Sequence, residues 1–210
     1  MTSISIATEP SNSKTPHVNN FDLTAYKVLY IQGLKMPYQE GFRFAESNKR
    51  EILSQHFDVI APDLPVNPHD AMCTLEPIAQ LHSPRLALVG NSIGAFYAAF
   101  LASKYNLPLV VINPVVKPYD FKDISKIVPP ENLESVKSYL RSLELPINPN
   151  KTFAIMHRND EVLGYGDAWN EYKDCTYTVM NQGEHHDLVS FKYWLPLFNW
   201  FFASVFEGAK

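Results

Sequence analysis

The stretch Arg85-Leu86-Ala87-Leu88-Val89-Gly90-Asn91-Ser92-Ile93-Gly94 runs an apolar segment of strand length straight into a G-x-S-x-G pentapeptide. Behind it, Ala95, Ala98, Ala99 and Ala102 recur at spacings of three and four, the period of a helix with one small-residue face. A serine between a strand and a helix, with glycine two residues before and two after, marks a sharp turn. That turn pushes the hydroxyl out at the carboxyl edge of a sheet, and its strain requires small flanking residues. Ser92 also stands at a helix N-terminus, where partial positive charge favours a developing anion. It is the candidate nucleophile.

Outward from this point, strand and helix patterns alternate. Apolar runs of strand length fall at Tyr26–Ile31, Phe57–Ala61, Arg85–Val89, Leu107–Ile112, Thr152–Met156 and Thr176–Val179. Helical patterns fall at Phe42–His56, Thr74–Leu81 and Ser92–Tyr105, and a helix is expected within Glu161–Lys173. Pro62, Pro65 and Pro68 predict a loop over 62–70, and Pro77 suits its helix only in the first turn. This alternation predicts an α/β fold: a mostly parallel sheet with helices on both faces. Between two strands, Tyr119–Asn150 is longer than a simple crossover needs. It reads either as a small lid insertion at about 119–150 or as an ordinary crossover helix with long loops.

The 210 residues suit a single domain over 26–210, preceded by a polar, flexible leader over 1–25. That leader lacks the apolar stretch of a signal peptide, so a cytoplasmic location is expected. The composition, 46% hydrophobic and 19% charged, is that of a globular protein rather than a disordered one. A net charge of −4 without a basic run gives no footprint for nucleic acid. Cys73 and Cys175 carry neither metal spacing nor a disulfide framework, and read as reduced, mostly packed thiols. The aromatic stretch Leu188–Phe206 is broken by Lys192, Pro196 and Asn199, so it reads as a C-terminal helix on the sheet rather than a membrane span. Part of its aromatic face is a candidate contact for a homo-oligomer.

A nucleophilic serine needs a base, and the base an orienting carboxylate. In this fold type they follow in the order Ser, acid, His. Asp160, just past the strand Thr152–Met156, is the candidate acid, with Val162 expected to re-enter the core after it. A cap or loop carboxylate is the plainer reading of Asp160, and Glu161 is its substitute. The base is sought in Gln182-Gly183-Glu184-His185-His186-Asp187-Leu188, after the last strand. His186 is the candidate and His185 the alternative, since adjacent residues cannot both face Ser92. A metal site of His185, His186 and Asp187 lacks helical ligand spacing and further ligands. The oxyanion hole calls for backbone N–H groups from Ile93 and, after the first strand, from Leu34, where Gly33 lets the backbone approach.

At this point the chain resembles the YqiA-like serine esterases, compact members of the α/β-hydrolase superfamily. The resemblance rests on Leu29–Gly33, Ala61-Pro62-Asp63-Leu64-Pro65, Leu88–Gly94, Val111-Ile112-Asn113-Pro114-Val115-Val116-Lys117-Pro118, Asn159-Asp160-Glu161-Val162-Leu163-Gly164-Tyr165 and the Gly183–His186 turn. It implies hydrolysis of a small acyl ester or thioester through an acyl-enzyme on a Ser92–Asp160–His186 triad, without a cofactor. Two departures stand out. The family usually reads His-Gly after its first strand, where this chain has Gln32-Gly33. It usually reads Gly-Gly-x-His near the base, where this chain has Gly183-Glu184-His185-His186. The Gln32 departure keeps open a second reading, a hydrolase-like binding protein with weak or no catalysis.

Overall fold

The computed structural model describes residues 26–33, 46–120, 124, 128–160, 162–182 and 191–208. The expected leader, Leu34, Glu161, His185 and His186 lie outside them. Among the described residues, six strands form one sheet in the order β2-β1-β3-β4-β5-β6. They are β1 (Lys27–Ile31), β2 (Asp58–Ile60), β3 (Leu86–Asn91), β4 (Leu109–Ile112), β5 (Thr152–His157) and β6 (Tyr177–Asn181). All five pairings are parallel. The central strands β3, β4 and β5 are buried along their whole length, which is why their sequences read as continuous apolar runs.

Alternate residues of each strand feed two cores, one on each face. Leu29, Ile31, Leu86, Leu88, Leu109 and Val111 point into the first. Val28, Tyr30, Ala87, Val89, Val110 and Ile112 point into the second. The first face is covered by α2 (Pro68–His82), α3 (Ile93–Tyr105), α4 (Leu133–Ser142) and α5 (Gly166–Tyr172). The second is covered by α1 (Glu46–Ser54) and α6 (Phe191–Glu207). Right-handed crossovers account for this division, because β1 to β2 steps in one direction across the sheet and every later crossover steps in the other. The chain therefore leaves β1 and β3, which are neighbours, toward opposite faces. This opens a crevice at their carboxyl ends, the usual ligand position in an open α/β sheet.

Several elements differ from the sequence expectation. Helix α2 begins at Pro68, not near Thr74, because the Asn67 side chain accepts from the His69 N–H (2.9 Å) and Pro68 takes the first helical position. Pro77 consequently lies mid-helix. It is on the exposed face, where water can reach the Cys73 carbonyl that it leaves without an intrahelical partner. Pro196 in α6 is placed the same way. The long segment between β4 and β5 carries α4, which buries Val136 and Leu140 in the first core, the arrangement of a crossover helix.

Phe191, Phe198, Phe201 and Phe202 of α6 are buried against the sheet, and Phe153 meets Phe198 and Phe201 edge-on at 6.1 and 5.8 Å, while Tyr193 and Trp200 of the same helix stay exposed. No described helix is long and apolar enough to cross a membrane. Cys175 is buried, which pushes its thiol up to about 11, whereas Cys73 is exposed; only one of the two expected packed thiols is packed.

Candidate active site

Ser92 sits at the carboxyl end of β3 with φ 55° and ψ −126°, a strained conformation for a residue with a Cβ. Three backbone hydrogen bonds hold it there. Its N–H donates to the Ile112 carbonyl (3.0 Å), and its carbonyl accepts from Ala95 and Val115 (3.1 Å each). The turn is therefore anchored to the end of β4 and to the loop beyond.

The flanking glycines are explained atom by atom. A Cβ on Gly90 would lie 2.5 Å from the Ala95 Cα and 2.8 Å from the Ala98 Cβ. A Cβ on Gly94 would lie 2.1 Å from the Ile31 carbonyl oxygen and 2.5 Å from that of Gln32. So the first turn of α3 lies directly on the end of β1, with the register Ile31 opposite Gly90. This contact brings Ile93, the first residue of α3, beside the Gln32-Gly33 segment that leads to Leu34. The Ile93 N–H belongs to the first helical turn, so no carbonyl within the helix claims it.

Asp160 is buried, three residues beyond β5. Its Oδ1 accepts from the N–H groups of Val162 and Leu163 (2.9 Å each), and Gly164 closes the turn at φ 66° with its N–H on the Asp160 carbonyl (3.2 Å). The carboxylate thus does cap a turn, and that bonding also fixes its plane. Val162 does not re-enter the core; it is 43% exposed, and its backbone N–H rather than its side chain meets the Asp160 carboxylate. The Asp160 loop is tied to the end of β6, where the histidine-bearing segment begins. Arg158 N–H donates to the Asn181 carbonyl (2.9 Å), and Asn159 Nδ2 donates to the Gln182 carbonyl (2.7 Å).

Asn113 is a residue whose role the sequence did not reveal. It is buried at the end of β4 with φ 41°, and its N–H donates to the Ile155 carbonyl (2.9 Å). Its Oδ1 accepts from the His157 backbone N–H (3.0 Å) and faces His157 Nδ1 at 2.8 Å. Since that oxygen already accepts from a backbone N–H, Nδ1 carries the proton. Asn113 braces the Ser92 loop against the strand that leads to Asp160. The available signal was an Asn-Pro pair closing a buried strand. Replacing Asn113 with alanine removes the one oxygen that accepts both bonds and leaves a left-handed residue with a Cβ. We expect a loss of about 3 kcal/mol in thermal or urea unfolding. Glycine at this position, which relieves the backbone but restores no acceptor, should fall between alanine and the wild type.

A groove of about 440 Å³ runs alongside α3, beginning one turn past Ser92. Phe96, Ala99 and Phe100 form its floor, Val115 and Val116 one wall, and Leu143 to Ile147 the other. The second wall is tied down at both ends. The Tyr119 hydroxyl donates to Glu144, and Ser103 Oγ donates to the Pro146 carbonyl (2.9 Å). Burial, and then the Glu144 bond, push the Tyr119 hydroxyl up to about 12.

Residues 44–202 match the model of the uncharacterised protein family UPF0227. This chain belongs to that family. It is the YqiA-like family whose motifs the sequence displays. Solved structures share the fold of this UPF0227 chain at low identity. One of the metagenome-derived lipolytic enzymes LipS and LipT superposes with a TM-score of 0.63 at 13% identity, covering 86% of this chain and 94% of its own. Est1E from Butyrivibrio proteoclasticus gives 0.57 at 14% identity over 91% of each chain. The monoacylglycerol lipase of Paleococcus ferrophilus gives 0.57 at 13% identity over 86% of this chain and 96% of its own. These likenesses establish the α/β-hydrolase fold for the UPF0227 chain.

Proposed function

We propose that this UPF0227 chain is a serine hydrolase that cleaves an acyl ester or thioester by way of an acyl-enzyme. The observation that carries the proposal is Ser92, held at φ 55° between β3 and α3 with both flanking glycines required by contact. Strain of this kind is kept where function needs the exposed hydroxyl. Ser92 attacks the carbonyl, and a histidine from the segment after β6 takes its proton and returns it to the leaving group. Asp160 orients that histidine and stabilises its charged form. From β3 to β5 is two strand spacings, about 10 Å, a gap that an imidazole with a hydrogen bond on each nitrogen helps to span. The N–H groups of Ile93 and Leu34 receive the oxyanion. That the folds of lipolytic enzymes and esterases superpose on this chain is in keeping with the proposal.

The base is tested with p-nitrophenyl butyrate. His186→Ala is expected to lower kcat by about 10⁴-fold and His185→Ala by less than about 10-fold. The reverse pattern moves the base by one residue. Hydrolysis that ignores Ser92 and both histidines overturns the mechanism and favours a binding protein on a hydrolase scaffold.

The groove along α3 is where the acyl chain of such a substrate fits, since Val115 in its wall is bonded to the nucleophile's own carbonyl. Ala99→Phe narrows its floor. It should reduce kcat/KM for a p-nitrophenyl decanoate about 10-fold or more, with the acetate ester unaffected. An unchanged chain-length profile would move the acyl chain elsewhere.

A further inference from the structure

We infer that the β6 edge of the sheet is a two-fold interface with a second copy of this chain. The two edges of the sheet are unequal. At one end, β2 is three residues long and carries Asp58, paired with Lys27, the kind of short and charged strand that discourages edge pairing. At the other end, β6 is five residues long, Tyr177-Thr178-Val179-Met180-Asn181, with neither a charge nor a proline. Among the described residues it pairs with β5 alone.

Large exposed apolar side chains gather on both sides of this strand. On the α6 side, Tyr193, Leu197 and Trp200 stand at spacings of four and three, a single helical stripe outside the buried face, at 71%, 44% and 46% exposure. Trp200 meets the ring of Tyr177 on β6 at 5.1 Å. On the α5 side, Val162, Tyr165 and Trp169 are 38–43% exposed. Helix α5 is tied to the strand by Thr178 Oγ1 donating to the Tyr172 carbonyl (2.6 Å). The six side chains expose on the order of 500 Å², more than scattered surface residues amount to. With the strand edge added, this approaches the roughly 800 Å² per partner of a standard interface.

The occupant follows from charge and symmetry. A two-fold axis normal to the sheet runs β6 antiparallel to its copy and keeps each face on its own side. Helix α6 then meets α6, and α5 meets α5. Like charges facing each other across the axis would oppose this, and β6 has none between Tyr177 and Asn181. The inference does not rest on the hydrolase proposal: it is argued from the sheet edge and the exposed side chains beside it, although Val162 also bonds Asp160 through its N–H and the histidine-bearing segment follows β6.

Sedimentation equilibrium of the full chain at micromolar concentration tests it. The wild type should have twice the mass of the chain. Leu197→Asp and Trp169→Asp, both surface positions, should each weaken the dimer about 100-fold, with circular dichroism showing an unchanged fold. Mixing the Leu197→Asp chain with a Leu197→Lys chain should restore a dimer containing one of each. A wild type that stays monomeric, or a dimer untouched by both substitutions, overturns the inference. A monomer whose β6 edge takes up a strand of another protein overturns it equally.

Discussion

Replacing Ser92 with glycine is expected to abolish ester hydrolysis and, at the same time, to make the protein more stable. The loss of activity is the larger effect: removal of the attacking oxygen should lower kcat by about 10⁴-fold or more, and labelling by a fluorophosphonate should vanish. The gain in stability comes from the backbone. At φ 55° and ψ −126° a residue with a Cβ carries strain of roughly 1–3 kcal/mol, which glycine relieves. Glycine also raises the entropy of the unfolded chain, a cost of about 0.5–1 kcal/mol, so the net gain is about 1 kcal/mol. That corresponds to a rise of about 2–4 °C in Tm for a chain of this size. Ser92→Ala should lose activity to the same extent without that gain, because it keeps the Cβ. Equal melting temperatures for the glycine and alanine variants would show that the turn is not strained. Undiminished hydrolysis would remove Ser92 from the mechanism.

The second large effect is expected from Gly94→Ala. Alanine is the better helix former, by up to about 1 kcal/mol, and in an open helical position it would stabilise. At Gly94 the added Cβ meets the Ile31 and Gln32 carbonyl oxygens at 2.1 and 2.5 Å, and both belong to backbone that cannot rotate away. The clash wins. Either α3 is lifted off the end of β1 or the chain pays with its fold. We expect a loss of about 4 kcal/mol and a fall of roughly 10 °C in Tm. Lifting α3 also separates the Ile93 N–H from the Gln32-Gly33 segment, so kcat/KM of the folded fraction should drop about 10²-fold or more. Gly166→Ala is the control. It lies at the start of α5 with no atom within 4 Å of the added methyl, and it should be neutral or slightly stabilising. If both variants melt alike, the close contact between α3 and β1 does not exist in solution.

Part of the site was legible because its physics is local. A strand, a glycine-flanked serine and an alanine-faced helix are written in adjacent residues, and each glycine answers to an atom of the next turn or the neighbouring strand. Asp160 is proposed as the acid from its position after a late strand, yet the supporting reason, a core role for Val162, was mistaken. Side-chain burial depends on what packs above the loop, while the two N–H groups that fix the carboxylate belong to the loop itself. Asn113 was not legible. Its work is to join the ends of β4 and β5, and His157 lies 44 residues away. The start of α2 was misplaced because three prolines looked like loop, when the last of them, behind Asn67, opens a helix.

The sequence by itself determined the class of fold and the place of the strained serine turn between β3 and α3. Apolar periodicity dictates which segments become strands and helices, and the pentapeptide dictates a turn that only those residues can make. The tertiary structure alone decided strand order, and with it the crevice between β1 and β3 where Ile93 and the Gln32-Gly33 segment meet. It also decided which face of the aromatic C-terminal helix is buried and which is left exposed beside β6. Periodicity says that a helix has two faces. Which of them meets water depends on the sheet the helix lands on, and that is settled only when distant strands pair.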